Sequence, residues 1–474
     1  MSTVSSVGSL TVPPRRRLRA LLFAMALALG LPASGHALII VLTRIVPPAV
    51  IHSENDARSF TATVGGLREV HLYGSPEQIG TAEARLLRDR MIVDEAELWK
   101  RFEHYVPWWT ARVAIEDVSR LRYRRVDRGI PEARRRELAA QSLAFEPDPF
   151  TAHMPTYQRM VFLHALYDIA LSFEHSPLIG CSTFAMGRSM TTDGHAIVAR
   201  TFDMETDDVL DRDKAVFLLR EDGAIPFASV AWPGFVGVVT GMNVEGVLAV
   251  VHGGRARSPR TEGTPVAFSL REVLERAHST AEAVAILRGQ EVMVSHIVFV
   301  ADGAGRFAII ERAPGVPPYV RETTETTVVT NDFEGPLSDD PKNREVREKT
   351  TSITRKTRLN RLLSGLAPGA GSPGAALELL RDHGCCESEC SCELGDRRAV
   401  DALIATHGIV ADTTSATLWV SVGPHLSGRF IRLDLRTLLA ADQAPYGAGE
   451  PETMPEDPVL SDGRYERALR SRKR

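Results

Sequence analysis

Two hydrophobic patterns divide the chain. Beyond residue 203, short valine-rich runs alternate with turns, as in AVFLL at 215–219 and VLAVVH at 247–252. Runs of this length, bounded by turns, predict strands buried on at least one face. Between residues 79 and 102, apolar residues instead recur at near-helical spacing and predict an amphipathic helix that begins after Ser75. The pattern by itself indicates a mixed α and β protein.

One predicted hairpin carries the most informative chemistry. Gly180 directly precedes Cys181, an Asp-Gly pair at 193–194 offers a tight turn, and the returning strand brings Arg200 and Asp203 toward the cysteine. A guanidinium and a carboxylate beside a thiol stabilise its thiolate and fix its geometry. Positions 200 and 203 lie on opposite faces of a straight strand, so both reach Cys181 only if the strand ends or bulges between them. Alternatively, Cys181 is a small buried hydrophobe.

Several ordered motifs resemble peptidase family C45, the acyl-coenzyme A:6-aminopenicillanate acyltransferase-like enzymes of the N-terminal nucleophile (Ntn) hydrolase superfamily. The segments that carry the resemblance are GCSTFA at 180–185, TDG at 192–194, ARTFD at 199–203, WPGFVGVVTGMNVEGVLAVVH at 232–252 and TND at 330–332. Thr201 stands where the family usually has Asn, and Asp332 where it has His. The resemblance implies an α+β fold with four αββα layers and two largely antiparallel sheets.

The resemblance also implies the site residues. Cys181 would be the nucleophile, Arg200 and Asp203 would orient it, and Asn331 would hold the oxyanion. Asn243, in a Gly-Met-Asn turn, is a secondary candidate for substrate or oxyanion contact. Both asparagines also fit a purely structural role, because Asn favours turns and strand ends.

Members of this family cut their own chain before the cysteine, so cleavage is expected between Gly180 and Cys181. Residues 51–180 would become the small chain, and residues 181–440 the catalytic large chain. The freed α-amino group of Cys181 has an ordinary pKa of about 7.7–8.0 and would serve as the base for its own thiol. The expected reaction cleaves or transfers the acyl group of a linear, non-peptide amide with a fatty or aromatic acyl part, and needs no cofactor or metal.

Two other functions compete with this interpretation. A non-catalytic exported or membrane-tethered binding protein would keep the fold with an unreactive Cys181. A cysteine protease with a Cys–His pair would need a histidine beside Cys181, and the strand-borne candidates are His252, His296 and His407.

Composition and the N-terminal sequence indicate which partners and which cellular location to expect. With 474 residues, 44% of them hydrophobic, the chain can bury a large core, and a net charge of −4 gives no case for nucleic acid as a partner. Within residues 1–50, an arginine triplet at 15–17 and apolar residues between 18 and 46 predict a signal peptide or an N-terminal membrane anchor. The folded part is therefore expected to be periplasmic, extracellular or membrane-anchored. The polar residues 441–474 predict a disordered tail.

Two further segments between residues 350 and 392 are polar, one rich in arginine and one rich in cysteine. In SITRKTRLNRLL, the arginines at 355, 358 and 361 recur every three residues, a spacing typical of a solvated helix face, although the segment also resembles the family. The run HGCCESECSC holds Cys385, Cys386, Cys390 and Cys392. Local disulfides are favoured in an exported protein, while a metal site with His383 is the alternative.

Overall fold

The computed structural model describes residues 34–50, 54, 56–172, 179–204, 209–385, 392–440 and 451–472. The chain divides into two compact units. One comprises Met1–Ile45 with Phe102–Arg124, and the other Val46–Arg101 with Arg125–Arg474. In the first, helix α1 (residues 34–42) carries His36, whose Nδ1 lies 2.9 Å from both carboxylate oxygens of Asp117.

No helix among the described residues combines the length and the apolar character needed to cross a bilayer. Residues 1–33, which contain most of the predicted signal or anchor, lie outside the described residues.

Within the described part of the chain, nine strands form the first sheet of the second unit, and strands are numbered in chain order. Across the sheet they are β1 (Phe60–Val64), β2 (Leu67–Gly74), β5 (Ala215–Glu221), β6 (Phe227–Ala231), β7 (Thr240–Asn243), β8 (Leu248–Gly253), β9 (His296–Ala301), β10 (Phe307–Arg312) and β11 (Tyr319–Thr323). Neighbouring strands are antiparallel except β2 and β5, which run parallel.

Seven described strands form the second sheet, and all its neighbours are antiparallel. Across the sheet they are β12 (Thr327–Val329), β3 (Ile179–Met186), β4 (Ile197–Met204), β13 (Ala405–Asp412), β14 (Thr417–Ser421), β15 (Phe430–Asp434) and β16 (Thr453–Met454). The adjacent strands β3 and β4 are the hairpin predicted around Cys181, and their pairing is confirmed.

Fourteen further α-helices follow α1 within the described residues. They are α2 (Pro76–Tyr105), α3 (Trp109–Arg122), α4 (Glu132–Ala144), α5 (Thr156–His164), α6 (Leu166–Leu171), α7 (Val209–Arg212), α8 (Val266–Arg276), α9 (Thr280–Arg288), α10 (Pro341–Lys349), α11 (Ser352–Ser364), α12 (Pro373–Leu380), α13 (Leu435–Leu438), α14 (Pro458–Ser461) and α15 (Arg464–Arg472). At the start of α2, Ser75 Oγ accepts from the Gln78 N–H and Gln78 Oε1 from the Ser75 N–H, so the predicted helix start carries a reciprocal cap.

The two sheets stack face to face between helices. The main apolar core combines side chains of the second sheet, such as Val198 and Ile409, with side chains of the first, such as Val216 and Leu248. On the outer side of the second sheet, β3 and β4 pack on α11 and α12, and on the outer side of the first sheet α8 and α9 pack on β7 to β10. The predicted αββα class is confirmed, and its layers leave the inner face of the β3–β4 hairpin buried between the sheets.

Residues before and after Gly180 share this core. Strands β1 and β2 belong to the first sheet, and a buried ion cluster joins α4 to α8: Arg271 Nη1 donates to Glu137 Oε1 at 2.8 Å, and Arg271 Nη2 to Glu221 Oε2 at 3.1 Å. Arg134 completes the cluster with Glu137 and Glu221. The described parts of the N-terminal segment that belong to the second unit are thus built into the layered fold.

The end of the chain differs from its prediction. The segment 451–472, expected to be disordered, contains β16, α14 and α15, because Val459, Tyr465 and Ala468 bury apolar surface around Leu403. Cys385 and Cys392 form a disulfide, as the favoured interpretation of the cysteine run expects. Cys386 and Cys390 lie outside the described residues.

The close approach of α2 to α4 gives a stability prediction. A Cβ on Gly80 would overlap the carbonyl oxygen of Glu137, which is backbone and cannot swing away. We expect Gly80→Ala to lower the free energy of unfolding by about 1–3 kcal/mol in urea denaturation. Gly374→Ala in α12 is the matched control, since its nearest neighbour atom would be Ser372 Oγ at 3.9 Å. The control should be neutral or more stable by about 0.5–1 kcal/mol, and equal effects of the two substitutions would contradict the close helix contact.

Candidate active site

The register of the β3–β4 hairpin divides the site between two faces. Cys181 pairs with Phe202, Thr183 with Arg200, and Gly180 with Asp203, with no bulge along this pair. Directly paired residues project to the same face, so Arg200 and Cys181 face the space between the sheets. Asp203 projects to the opposite face. The sequence expectation that both charged groups reach the thiol is therefore wrong for Asp203.

Arg200 is fully buried between the sheets. Its Nη1 donates to Val239 O and Thr240 Oγ1, both at 2.5 Å, and its Nη2 to Val251 O at 2.6 Å and Cys181 Sγ at 3.7 Å. Burial lowers the pKa of Arg200, and proximity to Cys181 opposes this. A guanidinium held by neutral carbonyls and a hydroxyl leaves its positive charge available to a thiolate.

The Cys181 thiol is fully buried in the intact chain. Burial raises the pKa of Cys181, while Arg200 and Arg355 act in the opposite direction. The thiol is therefore mostly neutral at neutral pH and has no solvent exposure in the intact chain.

Asp203 borders the backbone of Gly180. A Cβ on Gly180 would lie 3.5 Å from both the Cβ and the Oδ2 of Asp203. Burial raises the pKa of Asp203 to about 6, although Arg355 and a hydrogen bond from Thr201 Oγ1 lower it. The carboxyl group thus faces the bond expected to be cut, and its proton is bound more tightly than that of an ordinary aspartic acid.

Arg355 contacts three parts of the site, and the sequence did not single it out. Its Nη1 donates to Cys181 O and Ser182 Oγ, both at 2.6 Å, and its Nη2 to Asn331 Oδ1 at 2.8 Å. The prediction of a solvated basic face is wrong for this residue, which is 4% exposed. The family-like SITRKTRL spacing was the available signal for it.

Asn331 touches the peptide nitrogen of the expected nucleophile. Its Oδ1 accepts from Cys181 N at 3.1 Å, and its Nδ2 donates to Gly253 O at 3.0 Å. Together with the hydrogen bond that Arg355 donates to Oδ1, these partners fix the orientation of the Asn331 side-chain amide. One of the two Nδ2 hydrogens is used by Gly253, which leaves the other for an oxyanion.

The side chain of Asn243 forms its hydrogen bonds with backbone groups away from Cys181. Its Nδ2 donates to Leu274 O and Ala277 O, and its Oδ1 accepts from the backbone of Glu245 and Val247. The structure gives this side chain no contact with Cys181, and its four hydrogen bonds favour the turn role.

The three histidines considered for a Cys–His pair lie in different surroundings. His407 Nε2 lies 2.8 Å from Thr240 Oγ1, and His296 Nε2 lies 3.4 Å from Arg312 Nη1. His252 is beside the Cys181 backbone, but burial holds its pKa well below the ordinary value. Among the described residues, no histidine is hydrogen-bonded to the Cys181 thiol.

Two buried polar groups near the thiol were also missed by the sequence. The hydroxyl of Tyr167 has no hydrogen-bond partner within the described chain. The ring of His252 makes no side-chain hydrogen bond of good geometry there, although it lies against the Cys181 backbone. Burial, with Cys181 as the next cause, raises the pKa of Tyr167 well above its ordinary value. Unpaired polar groups of this kind are costly in a core and are common where a ligand binds.

Residues 189–404 match the model of a family described as acyl-coenzyme A:6-aminopenicillanic acid acyl-transferase. The match confirms the predicted resemblance to this family over that part of the chain. It contains Arg200, Asp203, Asn331 and Arg355, and it begins after Cys181.

An uncharacterised protein of Archaeoglobus fulgidus is 23% identical over 279 residues, which cover 53% of this chain and 44% of that protein. The chain thus spans less than half the length of this curated relative.

Two solved structures are also similar. The Caenorhabditis elegans N-acylethanolamine-hydrolyzing acid amidase ortholog is 16% identical, with 49% of this chain and 93% of that chain covered and a TM-score of 0.36. Penicillin V acylase from Agrobacterium tumefaciens is 16% identical, with 58% and 99% covered and a TM-score of 0.35.

The raised pKa of Asp203 predicts a pH-dependent contribution to stability. Between its ordinary pKa of 3.8 and its folded pKa of about 6, the folded state binds the proton more tightly, so stability falls as pH rises through this window. In a Cys181→Ala background, the free energy of unfolding should fall by about 3 kcal/mol between about pH 4 and pH 7, and the added Asp203→Asn substitution should abolish this fall. Urea denaturation at several pH values measures it. A stability difference between the two proteins that stays constant with pH would contradict the burial of this carboxyl group.

Proposed function

We propose that the protein is a self-processing Ntn hydrolase that cleaves or transfers the acyl group of a linear amide through a Cys181 thioester. The observation that carries the proposal is the set of contacts around the Gly180–Cys181 bond. Asn331 binds the nitrogen of Cys181, Arg355 binds its carbonyl oxygen, and Arg200 lies beside its sulfur. The first two partners satisfy backbone groups, as any buried residue requires, but a cysteine that was only a core hydrophobe would not require a cation beside its sulfur.

In the first step, the Cys181 thiol attacks the carbonyl carbon of Gly180. The carbon–nitrogen bond breaks, the thiol proton passes to the departing nitrogen, and a thioester forms between Gly180 and the sulfur. Water then hydrolyses the thioester, which releases the Gly180 carboxylate and restores the thiol. Gly180 has no side chain to obstruct the approach of the sulfur.

After cleavage, the α-amino group of Cys181 becomes the base for its own thiol. The ordinary pKa of such a group, about 7.7–8.0, suits proton transfer at neutral pH. Asn331 Oδ1 would accept one of its hydrogens, and the Asp203 carboxylate would pair with its charged form. Arg200 would stabilise the thiolate.

A substrate amide would then acylate Cys181, with the free hydrogen of Asn331 Nδ2 directed at the oxyanion. A preorganised amide donor at this point is worth about 10²–10³ in rate. Water releases a carboxylic acid from the acyl-enzyme, and an amine acceptor would instead complete a transfer. The description of the matched family supports an acyl group as the part transferred.

We further propose that the protein works outside the cytoplasm. The Cys385–Cys392 disulfide supports this location, because disulfides persist mainly in oxidising compartments.

Self-cleavage is the first test. Purified wild type should give two fragments on a denaturing gel, the larger beginning at Cys181, whereas Cys181→Ala stays whole because it lacks the nucleophile. N-terminal sequencing and intact mass establish the cut. Under native conditions the fragments should remain together, since residues of both share one sheet and the buried Glu137–Arg271 pair.

A wild-type chain that stays whole would overturn the mechanism. The full burial of the Cys181 thiol would then favour the non-catalytic binding protein as the function.

The contacts of Asn331 predict that its side chain speeds self-cleavage. In a translation reaction sampled over time, Asn331→Ala should slow the appearance of fragments by about 10²–10³, because the tetrahedral intermediate loses its amide donor. Asn360→Ala is the matched control, since Asn360 is exposed on α11. Equal rates in the two variants would remove Asn331 from the mechanism.

A further inference from the structure

A cavity of about 600 Å³ lies at the end of α9 and β10. It is lined by Arg260, Arg288, Gln290, Glu291, Val292, Arg312, Ala313 and residues 315–318. Alternate residues Phe307 and Ile309 of β10 face the core between the sheets, so Arg312 projects to the helix side of the first sheet. Cys181 lies in the second sheet and faces inward, so this cavity is separate from the candidate active site.

The floor of the cavity carries a buried positive charge with no ion-pair partner among the described residues. Arg312 is fully buried, and its hydrogen bonds go to the neutral groups Leu287 O, Gln290 O and Oε1, and His296 Nε2. Its Nε has no partner within the described chain. Burial lowers the pKa of Arg312 to about 10, and the carboxyl groups of Asp168 and then Glu291 counter this through space, without a direct ion pair. A buried cation in this state is stabilised by any anion that enters the cavity.

The other charged residues leave the cavity positive. Arg260 is paired with Glu291 at 3.2 Å, and both side chains are largely exposed. Arg288, the last residue of α9, is exposed and forms no ion pair with a described carboxylate. Arg288 therefore provides a guanidinium group with no described ion-pair partner, and Arg312 provides a buried one whose Nε is still unpartnered. Both can give a carboxylate charge-assisted hydrogen bonds.

The cavity also has an apolar part. It is formed by Val292, Ala313, Val316, Pro317 and Pro318, and the two prolines have no N–H to offer. A hydrated inorganic ion gains little from this apolar part, whereas the apolar body of an organic acid would bury surface against it.

We propose that this cavity binds a small organic carboxylate, with the carboxylate against Arg312 and Arg288 and the apolar part against residues 313–318. Binding at this site does not depend on Cys181 chemistry. A carboxylic acid is also the product that the proposed amide hydrolysis would release.

The test is calorimetric titration of full-length Cys181→Ala, which cannot turn over an amide, with phenylacetate and with octanoate. Inorganic phosphate and the neutral 2-phenylethanol are the comparison ligands. We expect saturable one-to-one binding of at least one carboxylate, with an affinity roughly ten-fold lower in Arg288→Gln and in Arg312→Gln, since each loses a charge-assisted contact. Arg276→Gln is the matched control, because Arg276 is an exposed arginine paired with Glu272 on α8.

Three results would overturn the proposal. One is the absence of binding by either carboxylate up to about 10 mM. Another is unchanged affinity in both arginine variants, which would place the carboxylate elsewhere, such as beside Cys181. The third is binding of phosphate in preference to both carboxylates. If Arg312→Gln fails to fold, Arg288→Gln decides alone, because its exposed side chain makes no ion pair with a described carboxylate.

Discussion

The buried guanidinium of Arg200 is the interaction on which the rest of the site depends. It leaves β4 in the second sheet and donates to the carbonyl oxygens of Val239 and Val251 and to Thr240 Oγ1, all belonging to the segment of β7 and β8 in the first sheet. Because a desolvated arginine is costly without such partners, these bonds fix how the two sheets meet at Cys181. The same cation then lies next to the only free thiol described.

The alternation of side chains along β3 and β4 divides the chemistry between two layers. Between the sheets lie the thiol and the cation that favours its ionised form. On the helix side lie Asp203 and Arg355, which contact the backbone around the bond expected to break. The proposed nucleophile and the groups that hold its peptide thereby lie on opposite sides of one strand, so neither obstructs the other.

Local signals in the sequence were sufficient to predict the hairpin, the cap at Ser75 and the short strands separated by turns. Turn chemistry and hydrophobic spacing act over only a few residues. These local signals failed for Arg355, whose burial depends on α11 packing on β3 and β12, and for Asp203, whose face depends on an unbroken strand. The helices within 451–472 were missed for the same reason, since their apolar partner, Leu403, is distant in sequence.

Cutting one peptide bond in this fold would remove little of what holds it together. Strand β2, from the segment before Gly180, pairs along its length with β5, and Glu137 and Arg271 are both completely buried in their shared ion cluster. Separating the two parts would expose an unpaired sheet edge and uncompensated buried charges. The architecture therefore permits a change at Gly180 to free the terminus of Cys181 and open a path to its thiol, while the surrounding layers keep Arg200, Asp203 and Asn331 in position.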